Sequence, residues 1–337
     1  MNRSTTTLLP VRIPPLPEEL FSSWIVRLAH ELGQKVQSFC HLIFGNNHQV
    51  WNRDIDRLAP TWLMDGLSCR TGISRSTIEN TTLRAYEGVF YPSFKSAGNL
   101  CWMLALKMYH RKRNGFGLQF CPQCLSEDIV PYYRKYWRVA LNTVCHRHQI
   151  SLLDRCPCCN HAVVVHRLDM NGQPLSDSIA HSSCFFCGFE LSRSQPLLID
   201  EYSVEGAATL QRITQKLELG LSQWTTYDVG QLAVLRHLTM LLTSPNPHNF
   251  LREYVTDQLH VKDILLTPGR ISIEARPWLE RRHLIQLSSW LLADPVQHIT
   301  KAWKSGAIRY NVLIKDFTSP PDWYLNIVSP LSNWRDR

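Results

Sequence analysis

Residues 120–190 have the sequence FCPQCLSEDIVPYYRKYWRVALNTVCHRHQISLLDRCPCCNHAVVVHRLDMNGQPLSDSIAHSSCFFCGFE and contain eight of the eleven cysteines in the 337-residue chain. Four close pairs of cysteine or histidine stand in this stretch, each with two residues between its members. The pairs are Cys121 and Cys124, Cys145 and His148, Cys156 and Cys159, and Cys184 and Cys187. A tight turn with this spacing directs both side chains at one ion, so the stretch predicts metal-binding turns.

Two such pairs complete one tetrahedral zinc site, and four pairs therefore predict two sites. In sequence order, the first two pairs form a site of three cysteines and one histidine, with 20 residues between the pairs. The last two pairs form a four-cysteine site, with 24 residues between them. The spacing also permits an interleaved arrangement, with the first pair joined to the third and the second to the fourth.

The predicted coordination shells are complete. A catalytic zinc keeps a position open for water or substrate, so we expect two structural Zn²⁺ ions. Cys158 adjoins Cys159 in the run CPCC and is an alternative ligand. His146, His161 and His166 are expected to take no part in metal binding.

Disulfide bonds are the alternative use of these cysteines. They are disfavoured because the cysteine count is odd and the first 20 residues lack the apolar core of a secretory signal. No apolar run approaches the roughly 18 residues of a membrane span. We therefore expect a cytoplasmic protein. Its formal charge is +8, and seven thiolates with two Zn²⁺ would lower it to about +5, a modest surplus that permits nucleic-acid contact.

The region before the cysteines has helical periodicity. EELFSSWIVRLAHELG (18–33) and KVQSFCHLIFG (35–45) each place apolar residues on one helix face and end at glycine. NLCWMLALKMYH (99–110) also predicts a buried helix. Residues 1–115 are assigned to an N-terminal helical domain.

Within that domain, LMDGLSCRTGISRSTIENTTLRAYEG (63–88) predicts a helix-turn-helix. Its turn holds Gly72, and its second helix is capped by Ser74 or Ser76. In a DNA-reading module the second helix would present four residues to base edges. These are Arg75, Ser76, Thr77 and Asn80. The other interpretation is a plain helical hairpin that packs on its apolar residues.

Cations and aromatic residues alternate between the first two cysteine pairs, in YYRKYWRVA (132–140). Arg134, Lys135 and Arg138 are candidate nucleic-acid contacts, because interleaved cations and aromatics can grip a phosphate backbone and stack on bases. The competing interpretation, which we favour, makes the aromatics a small core and leaves the cations in solvent.

After the cysteines, apolar periodicity predicts a C-terminal helical domain over residues 196–337. Residues 116–195 form a double zinc-binding module. The fold class is therefore mainly α: an N-terminal helix-turn-helix domain, two zinc-ribbon-like modules and a C-terminal helical domain.

The motifs of common enzymes are absent from the sequence, including G-x-S-x-G, H-E-x-x-H, a P-loop and the H-x-E of zinc deaminases. We therefore expect a protein that is not an enzyme, with no catalytic residues.

The chain resembles the TniQ/TnsD family of bacterial transposition target-selection proteins. The resemblance is carried by EELFSSWIVRLAHELG, by TGISRSTIENTTLRAY, and by FCPQCL, YWRVALNTVCHRHQISLLDRCPCCN and CFFCGFEL in that order. It covers roughly residues 15–195 well and the C-terminal helices more weakly. The family's zinc ligands fall on the eight residues of the four pairs, while Cys158 departs from the usual second pair.

The resemblance implies a non-enzymatic adaptor that marks the insertion site and recruits an AAA+ ATPase transposition regulator. Some members bind duplex DNA directly, whereas others sit on a guide-RNA Cascade complex, commonly as a head-to-tail homodimer. The length of this chain favours the second, TniQ type. Two rivals are a stand-alone zinc-containing helix-turn-helix transcription regulator and a nuclease with a hidden carboxylate site.

Overall fold

The computed structural model describes residues 8–46, 48–106, 108–109, 112–113, 115–169, 181–197 and 199–333. The chain divides into two compact units, Met1–Leu198 and Ile199–Arg337. Regular structure in the described residues is mainly helical, as expected, with a few two-residue strands. The helical region before residue 115 and the cysteine-rich region lie in the same unit, so the predicted boundary at 115/116 remains a prediction.

The first unit begins with a run of helices, followed by one short helix and two small hairpins. The helices are α1 (Phe21–Glu31), α2 (Val36–Phe44), α3 (Ile55–Leu58), α4 (Thr61–Thr71), α5 (Arg75–Glu79) and α6 (Pro122–Glu127). Strand β1 (Met108–Tyr109) pairs antiparallel with β2 (Lys112–Arg113), and β3 (Val144–Cys145) pairs antiparallel with β4 (Ile150–Ser151).

Helix α1 is the centre of this unit, and it is buried on every side from Phe21 to Ala29 rather than on one face. Its polar residues Ser22, Ser23 and Arg27 have partners within the unit. Arg27 forms an ion pair with Glu19 at 2.7 Å, and the Ser22 hydroxyl donates to Asp56 at 2.9 Å. Burying these groups is tolerable because each has a partner.

The helix predicted over residues 99–110 is wrong in the part that the structure describes. Leu100, Met103 and Leu104 are buried, but in a non-helical segment with a turn at Cys101 and Trp102. This segment pairs with the chain around Arg138: the Leu104 amide donates to the Arg138 carbonyl at 2.9 Å, and the Ala140 amide donates to the Trp102 carbonyl at 2.6 Å. A short apolar run is compatible with a buried strand as well as with a buried helix. Here the hydrogen bonds to the chain around Arg138 determine the conformation.

The second unit is helical, as predicted. Its helices are α7 (Val204–Leu219), α8 (Thr226–Leu241), α9 (Leu251–Leu259), α10 (Trp278–Ala293), α11 (Pro295–Lys304), α12 (Tyr310–Ile314) and α13 (Asp322–Val328). Helix α10 is central, with residues 280–292 all buried. Gly206 of α7 allows close packing, because a Cβ there would lie 3.1 Å from the Trp290 amide nitrogen.

The cations of α10 do not form a basic face. Arg281 and Arg282 are buried, and Arg282 binds Glu201 at 3.2 Å. No helix in the described part of the chain is long and apolar enough to cross a membrane.

Candidate metal centres

The first cluster brings together three sulfur atoms and one imidazole nitrogen. The ligand atoms of Cys121, Cys124, Cys145 and His148 all lie within 4.8 Å of one another. His148 Nδ1 is 3.3 Å from Cys121 Sγ, 3.4 Å from Cys124 Sγ and 3.6 Å from Cys145 Sγ. The sulfurs of Cys124 and Cys145 are 3.7 Å apart. These four residues could therefore hold one ion between them.

Two different local structures supply these ligands. Cys121 is the N-cap of α6, and its sulfur accepts the Cys124 amide at 3.4 Å, while Pro122 takes the first helical position. The positive end of the helix dipole favours thiolates at this place. Cys145 ends strand β3 and pairs with Ile150 of β4, so His148 lies in the turn of that hairpin.

A carboxylate orients the histidine. His148 Nε2 lies 3.0 Å from Glu127 Oε2 at the end of α6. A proton on Nε2 is donated to Glu127, and Nδ1 is then the unprotonated nitrogen that faces the sulfurs, as metal ligation requires. Glu127 is not among the site residues predicted from the sequence. Its position three residues after Cys124, on the helix that the first pair opens, is the signal that could have found it.

The donor set fits zinc. A tetrahedral Zn²⁺ with bonds of about 2.3 Å to sulfur and about 2.0 Å to nitrogen separates its ligand atoms by roughly 3.5–3.8 Å, close to the distances above. Without a cation, the neighbouring sulfurs of Cys121 and Cys145 hold the pKa of the Cys124 thiol far above its ordinary value. A divalent ion offsets this repulsion, so the packing of three sulfurs is explained by a bound metal.

The second cluster contains four cysteines. The sulfurs of Cys156 and Cys187 are 3.7 Å apart, and those of Cys159 and Cys184 are 3.6 Å apart. All four lie within 4.8 Å of one another and could hold a second ion. Cys156 and Cys184 are buried, whereas Cys187 is exposed and Cys159 is half-buried.

Three of the four pairs share one backbone turn. The residue four positions after the first ligand has a positive φ: 53° at Gln149, 62° at Asn160 and 73° at Gly188. Its amide donates to the carbonyl of that first ligand, at 2.7, 2.9 and 2.9 Å respectively. Glycine and asparagine tolerate this left-handed conformation best, so CPCCN and CFFCG carry a turn signal beyond the cysteine spacing.

The ligand atoms cluster in sequence order, not in the interleaved arrangement. Cys158 is exposed and belongs to neither cluster. The three other histidines have different contacts. His146 lies against Tyr136, and His161 and His166 each stack in parallel on an aromatic ring.

The predicted helix-turn-helix corresponds to α4, a turn through Gly72 with φ of 74°, and the short helix α5. Ser74 caps α5, because its hydroxyl accepts the Thr77 amide at 3.1 Å, and Ser76 does not act as the N-cap. The Arg75 guanidinium is engaged by Asp65 and by Glu79 at 2.9 Å.

The other predicted base contacts on α5 are open to solvent. Ser76, Thr77 and Asn80 are all exposed. A base-reading role for this helix stays a prediction, and Arg75 would first have to leave its two carboxylates.

The three cations predicted as nucleic-acid contacts are buried. The favoured interpretation is therefore wrong in leaving them in solvent, but its aromatic core is present, with Tyr133, Tyr136 and Trp137 buried. Arg134 binds Asp128 through two bonds of 2.7 and 3.0 Å. Lys135 donates to the Asn80 carbonyl at 2.6 Å.

Arg138 is completely buried. It binds Asp54 at 2.6 Å and Asp56 at 3.0 Å. Because the partners of Lys135 and Arg138 are distant in sequence, the alternating pattern alone did not reveal that these two cations tie the segment to the N-terminal helices. None of the three cations is available to a phosphate in this structure.

The fold and the clusters together define a mainly helical protein with two closed Cys/His clusters suited to structural metal ions. Residues 10–152 match the sequence model of the TniQ family. The match covers the first cluster and ends before the second. A search of curated proteins finds no match to the chain.

Proposed function

We propose that this protein is a non-enzymatic target-selection adaptor for transposition, of the TniQ type. It would recruit an AAA+ ATPase regulator to a target marked by a guide-RNA Cascade complex. The observation that carries this proposal is the family match over residues 10–152. In the proposal, the residues before 115, the metal module over 116–195 and the helices after 196 are three parts with separate partners, acting in the cytoplasm.

The two clusters support a binding role rather than catalysis. Each offers four protein ligands, so Zn²⁺ there would have a full tetrahedral shell and no position for a substrate. The ions would stabilise the fold by cross-linking segments far apart in sequence.

The surroundings of the basic residues favour docking on a protein complex over direct DNA reading. Arg75 is held by two carboxylates, and Arg134, Lys135 and Arg138 are buried in internal contacts. A direct reader of duplex DNA needs cations that reach phosphates and base edges. A head-to-tail homodimer on such a complex would bring two copies of each surface to the target.

The test is affinity purification of the tagged full-length chain from cells that carry its transposon, followed by mass spectrometry and RNA sequencing. We expect the AAA+ ATPase together with Cascade subunits and a guide RNA. The AAA+ ATPase with duplex DNA and no guide RNA would identify a direct DNA reader instead. Recovery of neither the ATPase nor Cascade would contradict the proposal.

A second candidate, a stand-alone helix-turn-helix transcription regulator, is favoured by the exposure of Ser76, Thr77 and Asn80 on α5. It requires tight, sequence-specific DNA binding by the pure protein. A double Arg75→Ala, Asn80→Ala variant that folds and keeps full DNA affinity would remove this candidate.

A further inference from the structure

A cleft of about 680 Å³ lies in the first unit, and neither metal cluster nor α5 contributes a residue to its lining. One wall is the exposed side of α2 with the residues just before it. The others are the described loop residues 45, 46 and 48–52 and the turn that ends at Arg167. Its volume falls within the roughly 300–1,000 Å³ of ordinary ligand sites.

The lining of this cleft is rich in side-chain amides and contains no acid. Of its fifteen described lining residues, five carry a carboxamide, three an imidazole and one a guanidinium, and none carries a carboxylate. The amides are Gln34, Gln37, Asn46, Gln49 and Asn52. In a chain with 28 acidic residues, an acid-free surface of this size is compatible with a polyanion.

Several of these groups are available for binding. The side chains of Gln37, Ser38 and Asn46 are exposed and form no hydrogen bond with another described residue. Arg75 on α5 must break two contacts to bind a ligand, whereas these side chains give up only water.

Flat rings complete the cleft. The exposed imidazole of His48 lies parallel to Trp62, with ring centroids 4.1 Å apart, and Trp51 stacks on His166 at 4.5 Å. Nucleic-acid bases pair through both donors and acceptors on their edges, which carboxamides match, and they stack on planar side chains. A peptide ligand would instead call for apolar anchor pockets.

We propose that this cleft binds single-stranded nucleic acid, with the amides on base edges and Arg167 on the backbone. Unpaired bases are expected, because their Watson–Crick edges are free to meet the amides and they can be splayed out of the stack into the cleft. The inference rests on the cleft itself and goes beyond the adaptor role, so it stands or falls independently of transposition.

The test measures fluorescence anisotropy of labelled oligonucleotides of about 12 nucleotides, as single-stranded RNA, single-stranded DNA and duplex DNA, with the full-length metal-loaded protein. The test variant is Gln37→Glu with Ser38→Glu, which puts two carboxylates on the exposed side of α2. The matched control is Gln211→Glu with Gln215→Glu, which makes the same charge change on the exposed side of α7. Circular dichroism and metal content verify that both variants fold.

We expect a single-stranded oligonucleotide to bind, and the comparison of RNA with DNA shows which of the two is the ligand. The α2 variant should weaken binding about tenfold or more, because its two carboxylates repel the phosphates. The control should keep near wild-type affinity. Absence of single-strand binding, binding of duplex alone, or equal losses in the two variants would each overturn the proposal.

Discussion

The two Cys/His clusters use similar ligands in different surroundings. In the first, Cys121 and Cys124 are 0% exposed and Cys145 is 1% exposed, whereas the second ends at the exposed Cys187. The chain between the first cluster's two pairs is also built into the helical core. The Leu20 amide donates to the Tyr133 carbonyl at 2.8 Å, joining this chain to the start of α1.

The difference shows that ligand chemistry alone does not set how strongly a metal supports a fold. An ion in the first cluster holds a segment that closes the core around α1. An ion in the second holds two surface turns. We therefore expect the first ion to be required for folding of the unit, whereas the second should stabilise only the chain near its own ligands.

The largest effect is expected from Cys121→Ser, which removes a buried ligand of the first cluster. Structural zinc contributes about 10–16 kcal/mol in small domains, as much as the roughly 5–15 kcal/mol by which most domains are stable. We expect the first unit not to fold, with loss of solubility and of cooperative melting. A soluble variant that melts cooperatively with wild-type zinc content, measured by plasma mass spectrometry, would contradict the prediction.

The next largest effect is expected from Arg138→Ala, in the segment that joins the first cluster to the helices. This change leaves Asp54 and Asp56 without their buried cation, and burial already raises the pKa of Asp56 to about 6. Breaking a buried ion pair from one side costs about 3–5 kcal/mol. Urea denaturation measures this loss.

The control for Arg138→Ala is Arg75→Ala, which breaks only exposed ion pairs, to Asp65 and Glu79, and is expected to change stability little. Similar small losses in the two variants would show that the Arg138 segment is not part of the core.

The sequence predicted more of the clusters than of their surroundings. Close cysteine spacing and the turn residues Asn160 and Gly188 act over a few residues, so local sequence records them. The partners of Lys135 and Arg138 lie elsewhere in the chain, and alternation with aromatics is equally typical of a solvent-exposed segment. The helix predicted over residues 99–110 is wrong for the same reason, because the conformation of Leu100–Leu106 depends on pairing with the chain around Arg138.

A smaller effect is expected from Cys187→Ser, at the exposed edge of the second cluster. The variant should lose about one metal equivalent but keep the helical circular dichroism of the wild type, with a stability loss of about 1–3 kcal/mol. Metal content and thermal melting check both parts. Loss of folding equal to that of Cys121→Ser would show that the two clusters are equally coupled to the core, and it would contradict the expected difference between them.

The smallest effect is expected from His181, which lies three residues before Cys184 of the second cluster. Its buried ring lies 5.5 Å from that of His30 on α1, and burial, with His30 and Arg27 nearby, lowers its pKa to about 3. Below an unfolded-state pKa of about 6.5, the unfolded chain binds a proton that the folded protein does not. Stability from this group is therefore complete above pH 6.5 and falls with acidification, by about 1.4 kcal/mol at pH 5.5.

Replacement His181→Asn should remove this dependence. Wild type and variant are compared by urea denaturation at pH 7.5 and 5.5 with metal content verified, since acid also weakens metal binding in both proteins. The variant is expected to lose about 1.4 kcal/mol less than the wild type between the two pH values, even if its stability at pH 7.5 is lower. Identical losses would mean that His181 takes up its proton in the folded state as readily as in the unfolded chain, which would contradict the prediction.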